Sequence, residues 1–284
     1  MIRTFALAAA LTLSAPAAAQ DVPPEARDAA RQAQEIATLM ADVQGATALA
    51  QRQYFGMVGG APGESFQGAI ALPSGEEGVW RAVIVGQSGE GAEAVQYALA
   101  EYEIADGAIR SETIHLPGDT PPLSGSESAL AQARGFAPRA VIAAGGTFCT
   151  GEEESESPSV TFATIVLPPR PDGTFDAYVL NGPIEANAIP LGRHYRVGFD
   201  QFGLDGEPEL VTDTCEVISW SGAEPNPATT YATAHDGAAP TPVHVFLSTL
   251  LPFGLAVTTG DVTWPVADGA IAEPQAPANP APAG

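Results

Sequence analysis

The sequence predicts an α+β fold: a mostly antiparallel sheet with a long helix at the N-terminal end and a second helix near 124–135. Three features carry that prediction. Apolar residues recur at helical spacing over 21–50. Ser124-Gly125-Ser126-Glu127 has the spacing of a capping box, which opens a second helix. From Val79 onward, short runs rich in β-branched and aromatic residues alternate with Asp, Gly and Pro turns, the pattern of successive antiparallel strands.

Ahead of the first helix, residues 1–19 read as an export signal. Arg3 supplies the positive charge, the apolar run from Phe5 ends at Leu13, and Ala17-Ala18-Ala19 presents small residues for cleavage. That run is shorter than the ~20 residues a bilayer span requires. The expected mature chain starts at Gln20, has no membrane span, and is periplasmic or secreted.

In the first helix Asp21 is the expected cap and Pro23 and Pro24 suit the first turn. Ala26, Ala29, Ala30, Ala33, Ile36, Ala37, Met40 and Val43 form its apolar stripe, and Gly45 weakens its end. Val79–Val85 reads as a strand. Gln96–Ile104 and Ile109–Leu116 flank Ala105-Asp106-Gly107, a hairpin turn because Asp and Gly tolerate positive φ. With the helix from Ser124 to about Arg134, residues 20–145 make an α-β-β-β-α half.

Residues 146–272 read as a β-rich half, and the two halves are expected to form lobes that meet near 145. Ser159–Leu167 is apolar on both faces, as in a central strand. Thr174–Leu180, Arg193–Asp200, Glu209–Trp220 and Thr229–Ala234 follow, and Val243–Leu250, Leu255–Thr259 and Val262–Val266 complete the sheet. Residues 273–284 form a Pro/Ala tail expected to be disordered.

The chain has a net charge of −23, and all 11 of its basic residues are arginine. Phosphate backbones and anionic lipid surfaces are repelled by such a protein, so no nucleic-acid partner is expected. The acidity serves solubility. Cys149 and Cys215 are the only cysteines. Their separation of 66 positions excludes a CxxC redox pair and, in an exported chain, predicts one disulfide.

No catalytic motif survives inspection. Gly89-Glu90-Gly91-Ala92-Glu93-Ala94 matches GxGxxA by letters, but its two glutamates oppose a pyrophosphate and a hairpin turn explains the glycines. Gly86-Gln87-Ser88-Gly89-Glu90 and Gly63-Glu64-Ser65-Phe66-Gln67 lack the final glycine of a nucleophile elbow. The acid run Glu152-Glu153-Glu154-Ser155-Glu156, with Asp200, Asp205, Glu207 and Glu209, has no EF-hand spacing and reads as a solvated face.

His194 and His244 are the best site candidates. Both fall in expected strands, and if those strands are neighbours the rings meet, with Asp176, Asp200 or Asp236 available to complete a two-His-one-carboxylate set. No metal is assigned, and a divalent ion held by His194 and His244 is the only cofactor considered. Arg196 shares a strand face with His194, while Tyr195, Val197 and Phe199 take the other. His194, Arg196 and His244 are therefore the expected ligand-binding residues. The competing expectation is structural: histidines hydrogen-bonded within a sheet, and Arg196 paired with an acid on the next strand.

Pro190-Leu191-Gly192-Arg193-His194-Tyr195-Arg196, Cys215 and Val243-His244-Val245-Phe246-Leu247-Ser248 resemble a group of uncharacterised exported proteins from high-GC Gram-negative bacteria. The resemblance covers the C-terminal half. It implies export and a common domain, and it implies no activity. The leading expectation is a non-catalytic protein of the cell envelope that binds a partner protein or a small ligand. The alternative is a metal-binding protein or metal-dependent hydrolase using His194 and His244.

Overall fold

The computed structural model describes residues 22–60, 63, 65–89, 91–149, 162–185, 187–221 and 229–275. The export signal at 1–19, the acid run Glu152–Glu156 and most of the 273–284 tail lie outside the described residues.

The N-terminal helix is α1 (Pro24–Met57), with Pro24 at its first position and Ala26, Ala30, Ala33, Ala37, Met40 and Val43 on its buried face. It runs past the expected end near 50. A glycine inside a helix costs up to about 1 kcal/mol relative to alanine. Burial of Ala46, Ala50 and Tyr54 beyond Gly45 outweighs that cost.

Four strands follow as an antiparallel meander: β1 (Phe66–Pro73), β2 (Val79–Ser88), β3 (Val95–Ala105) and β4 (Ala108–Ile114). The β3–β4 hairpin turns at Asp106 and Gly107, with φ of 52° and 69° as expected. Because β2 and β3 are antiparallel neighbours, the GxGxxA letters sit in a hairpin connection and open no crossover helix. The second helix, α2 (Gly125–Ala143), begins with the expected capping box. Ser124 N–H donates to Glu127 Oε2 at 2.8 Å, and Glu127 N–H donates to Ser124 Oγ at 3.4 Å. The helix continues through Pro138, beyond the expected end at Arg134, because Ala137, Ala140 and Val141 are buried in its second half.

The second sheet has the order β10 (Glu209–Thr212), β8 (His194–Asp200), β6 (Phe175–Asn181), β5 (Phe162–Val166), with β9 (Gly203–Leu204) turning back on β8. Glu209–Trp220 is thus two strands: β10 and, beyond a break at Cys215, β11 (Val217–Ser219), which pairs with β7 (Ala188–Pro190). A last sheet joins β12 (Thr230–Ala234), β13 (Gly254–Thr259), β14 (Val262–Ala267) and β15 (Ala270–Ile271). Its β12–β13 pair is parallel, the exception among the strand pairs of the described residues.

The parallel pair requires a crossover, and this corrects one expectation. Residues 243–248 belong to α3 (Pro242–Ser248), not to a strand. Thr241 caps the helix, Pro242 occupies the first turn, and Val243, Val245, Phe246 and Leu247 are at most 2% exposed. Seven residues make a marginal helix alone. Each of these buried side chains contributes about 1.5–3 kcal/mol, so tertiary burial holds the helix in place.

Two hydrophobic clusters build the core, and each draws on residues from both sides of position 145. One joins α1, Ala82, Ile84 and Tyr102 of the meander, Tyr178 and Leu180 of β6, and α3. The other places α2 over Val83, Val85 and Ala98 on one side and Ala177, Val179 and Val197 on the other. Strands β5 and β6 are apolar on both faces, since their alternate residues enter different clusters.

Candidate functional site

The expected ligand-binding residues do not form one site. His194 is fully buried, and both its ring nitrogens are engaged. Nδ1 accepts from the Asn181 N–H at 2.9 Å, which places the proton on Nε2, and Nε2 donates to Pro190 O at 3.1 Å. Burial lowers its pKa to about 4, opposed by the hydrogen bond to Pro190. A neutral imidazole with no free nitrogen is a structural bracket, and a metal would have to break one of these bonds.

The same holds for its surroundings. Cys149 and Cys215 are bonded, with Cα atoms 5.6 Å apart. Asn181 Nδ2 donates to Cys149 O at 3.2 Å and Gly192 O at 3.4 Å. Gly192 lies so close to the segment before Cys215 that a Cβ there would stand 1.6 Å from Thr214 O. The motif around Pro190–Arg196 thus ties β7, β8 and the disulfide together.

His244 is 1% exposed and stands on α3. Its Nδ1 accepts from the Thr241 N–H at 3.2 Å, completing the capping box, so the proton lies on Nε2. That Nε2 is buried with no hydrogen-bond partner among the described residues. The ring facing it is His235, edge-on with centroids 5.4 Å apart. Burial lowers the His244 pKa to about 3, helped by the neighbouring His235 and then His194. His194 is therefore within electrostatic reach, but the ring in contact is one that strand alternation could not nominate. Asp213 Oδ1 lies 4.0 Å from His235 Nδ1. Two of the acids expected to complete a set are committed elsewhere: Asp176 pairs with Arg170, and Asp200 Oδ1 accepts from the N–H groups of Phe202 and Gly203 at 2.7 and 3.0 Å; the third, Asp236, acts electrostatically on His235. Among the described residues, no group of three or more His, Cys, Asp or Glu is arranged to hold a metal ion.

Arg196 is exposed and pairs with Glu209 at 2.5 Å, directly across the β8–β10 register. Although alternation puts it on the His194 side of the strand, only His194 is covered, at the end of β8 beneath the disulfide segment.

A wide opening lies elsewhere. A cleft of about 980 Å³ runs between α2, the ends of β1–β3 and the β8–β9 turn. Gln67, Gln87 and Gln96 reach it from three successive strands; Gln87 and Gln96 are register partners, so they share a face. This face continues the Val83–Val85 surface on which α2 packs. The Phe175 and Phe199 rings, stacked with centroids 5.3 Å apart, close the inner end. Phe136 on α2 and Phe202 at the β8–β9 turn line it while remaining 46% and 88% exposed. Gln96 Oε1 is buried without a partner among the described residues. Chemically the cleft offers apolar walls, amide hydrogen bonds and Arg139. The signal for it in the sequence is faint: one phenylalanine, Phe202, inside a turn where a polar residue is usual.

No protein-family model, curated protein or solved structure matches this chain. Among the described residues, no helix is long and apolar enough to cross a membrane.

Proposed function

We propose that this chain is an exported, non-catalytic binding protein of the cell envelope whose ligand seats in the cleft between α2 and the β8–β9 turn. One observation carries the reading: Phe136, about half exposed, and Phe202, almost wholly exposed, stand on opposite walls of a cleft whose volume lies within the 300–1,000 Å³ or so typical of small-ligand sites. Exposed aromatic side chains gathered at a concavity mark recognition more strongly than apolar residues scattered singly. Export is supported by the N-terminal pattern and by the bonded cysteines. The neutral, fully bonded His194 supports an architectural role for the motif histidine. The test is a fluorescence titration with N-phenyl-naphthylamine, a neutral aromatic probe. Phe136→Ser with Phe202→Ser is expected to weaken its binding about tenfold without lowering Tm. Unchanged binding would refute the reading.

A second reading, a metal-binding role, draws support from His244 Nε2 and His235 Nδ1, both buried without a hydrogen-bond partner among the described residues; an ion on His244 Nε2 would displace the proton there and break the Thr241 N–H bond to Nδ1. Here His235 replaces His194 as the companion of His244. Elemental mass spectrometry tests it: about one transition-metal ion per chain, lost in His244→Gln while the fold persists, would establish the site. A metal-free chain would reject it.

A further inference from the structure

Resting on the cleft as the binding site, we infer that its ligand is a small amphipathic anion: an aromatic or aliphatic body held between Phe136 and Phe202, with one oxyanion head on Arg139. The charge distribution carries this. The chain has 34 acidic residues against 11 arginines, yet among the described residues the only acid lining the cleft is Asp200. Asp200 Oδ1 accepts from the N–H groups of Phe202 and Gly203, holding the turn that presents Phe202. The remaining polar wall is neutral amide.

Arg139 is the positive counterpart. Arg27, Arg31, Arg81, Arg110, Arg170 and Arg196 each lie within 4.0 Å of a carboxylate. Arg139 has no carboxylate partner among the described residues; its Nε donates to Gly135 O at 3.0 Å, which anchors the side chain on α2 and leaves both Nη groups for a ligand. A planar guanidinium held in this way suits carboxylate, sulfonate or phosphate oxygens. Arg134, five residues earlier, has no carboxylate partner among the described residues and donates to Gln67 O at 3.3 Å, so a second positive charge stands behind the amide wall.

The overall charge argues for a cation, and the local geometry decides against one. At physiological salt the Debye length is about 8 Å, so carboxylates farther from the cleft are largely screened. Among the described residues, a cation in the cleft meets Arg139 on its lining and Arg134 behind it, against one carboxylate, Asp200. Gln96 Oε1, buried and unpartnered, is an acceptor that would receive an N–H or O–H on the ligand body.

The experiment compares two probes with one aromatic skeleton: anilinonaphthalene sulfonate, which carries an anionic head, and N-phenyl-naphthylamine, which carries none. The full chain is expected to bind the sulfonate about tenfold more tightly than the neutral probe. Arg139→Gln should erase that difference while leaving the neutral probe's affinity and Tm unchanged. Equal affinities in the wild-type chain, or a sulfonate affinity untouched by Arg139→Gln, would overturn the anionic assignment and leave the cleft standing. Binding of both probes unaffected by Phe136→Ser with Phe202→Ser, or binding of neither probe, would overturn the cleft and the assignment together.

Discussion

Replacing Gly192 by alanine tests the architectural role of the Pro190–Arg196 segment. The added Cβ would meet Thr214 O at 1.6 Å and Thr214 C at 2.3 Å. Both are backbone atoms, so no rotamer change relieves the clash. Thr214 precedes Cys215, which is bonded to Cys149, and Gly192 O accepts from Asn181, so neither side is free to withdraw. Overpacking usually costs about 1–3 kcal/mol, and a contact with tethered backbone belongs at or above the upper end. A loss of about 3 kcal/mol lowers Tm by roughly 6–12 °C in a domain of this size. The assay is thermal unfolding by circular dichroism under non-reducing conditions, with Gly45→Ala as the contrast. A Cβ at Gly45, inside α1, meets nothing within 4 Å and should raise stability by about 0.4–1 kcal/mol. A Gly192→Ala protein within 1 kcal/mol or so of wild type would refute the close approach.

The buried histidines make the fold acid-sensitive. Their folded pKa values, about 4 for His194 and about 3 for His244, lie below the unfolded value near 6.5. The unfolded chain therefore binds more protons in that window, and stability falls as pH drops below 6.5 or so until each folded pKa is reached. Denaturant titrations at pH 6.5 and pH 5 should differ by roughly 3 kcal/mol from these two groups, and His194→Gln should about halve that difference. Equal stability at the two pH values would contradict the buried neutral state. Breaking the disulfide with Cys149→Ser and Cys215→Ser should cost about 2–4 kcal/mol, because it frees a loop of 66 residues in the unfolded chain. Glu209→Gln should change stability by less than about 1 kcal/mol, since its partner Arg196 is exposed and surface pairs are weak.

Much of the fold was legible because its local signals are strong. The alanine stripe of α1, the Asp106-Gly107 turn and the Ser124–Glu127 box each specify backbone geometry over a few residues. The Val243–Leu247 run misled because a segment buried all round shows neither period 2 nor period 3.6. The deciding signal was Thr241-Pro242 ahead of it, a cap followed by a first-turn proline. Placing His244 on a helix changed its neighbour from a strand residue to His235, beyond the end of β12. The cleft was not legible as a motif. Gln67, Gln87, Gln96, Phe136, Arg139 and Phe202 are distant in sequence and chemically plain, and they meet only because α2 bridges β1 and β6–β8.

The central claim is that ligand recognition belongs to the cleft and that the motif histidines belong to the framework. Hydrogen exchange of the full chain with and without anilinonaphthalene sulfonate tests it in one comparison. Added protection is expected around 67, 87 and 175 and over 91–96, 128–139 and 199–204, the parts of the chain that line the cleft. Protection centred on 190–196 and 235–248 instead would place the binding site at the histidines and contradict it.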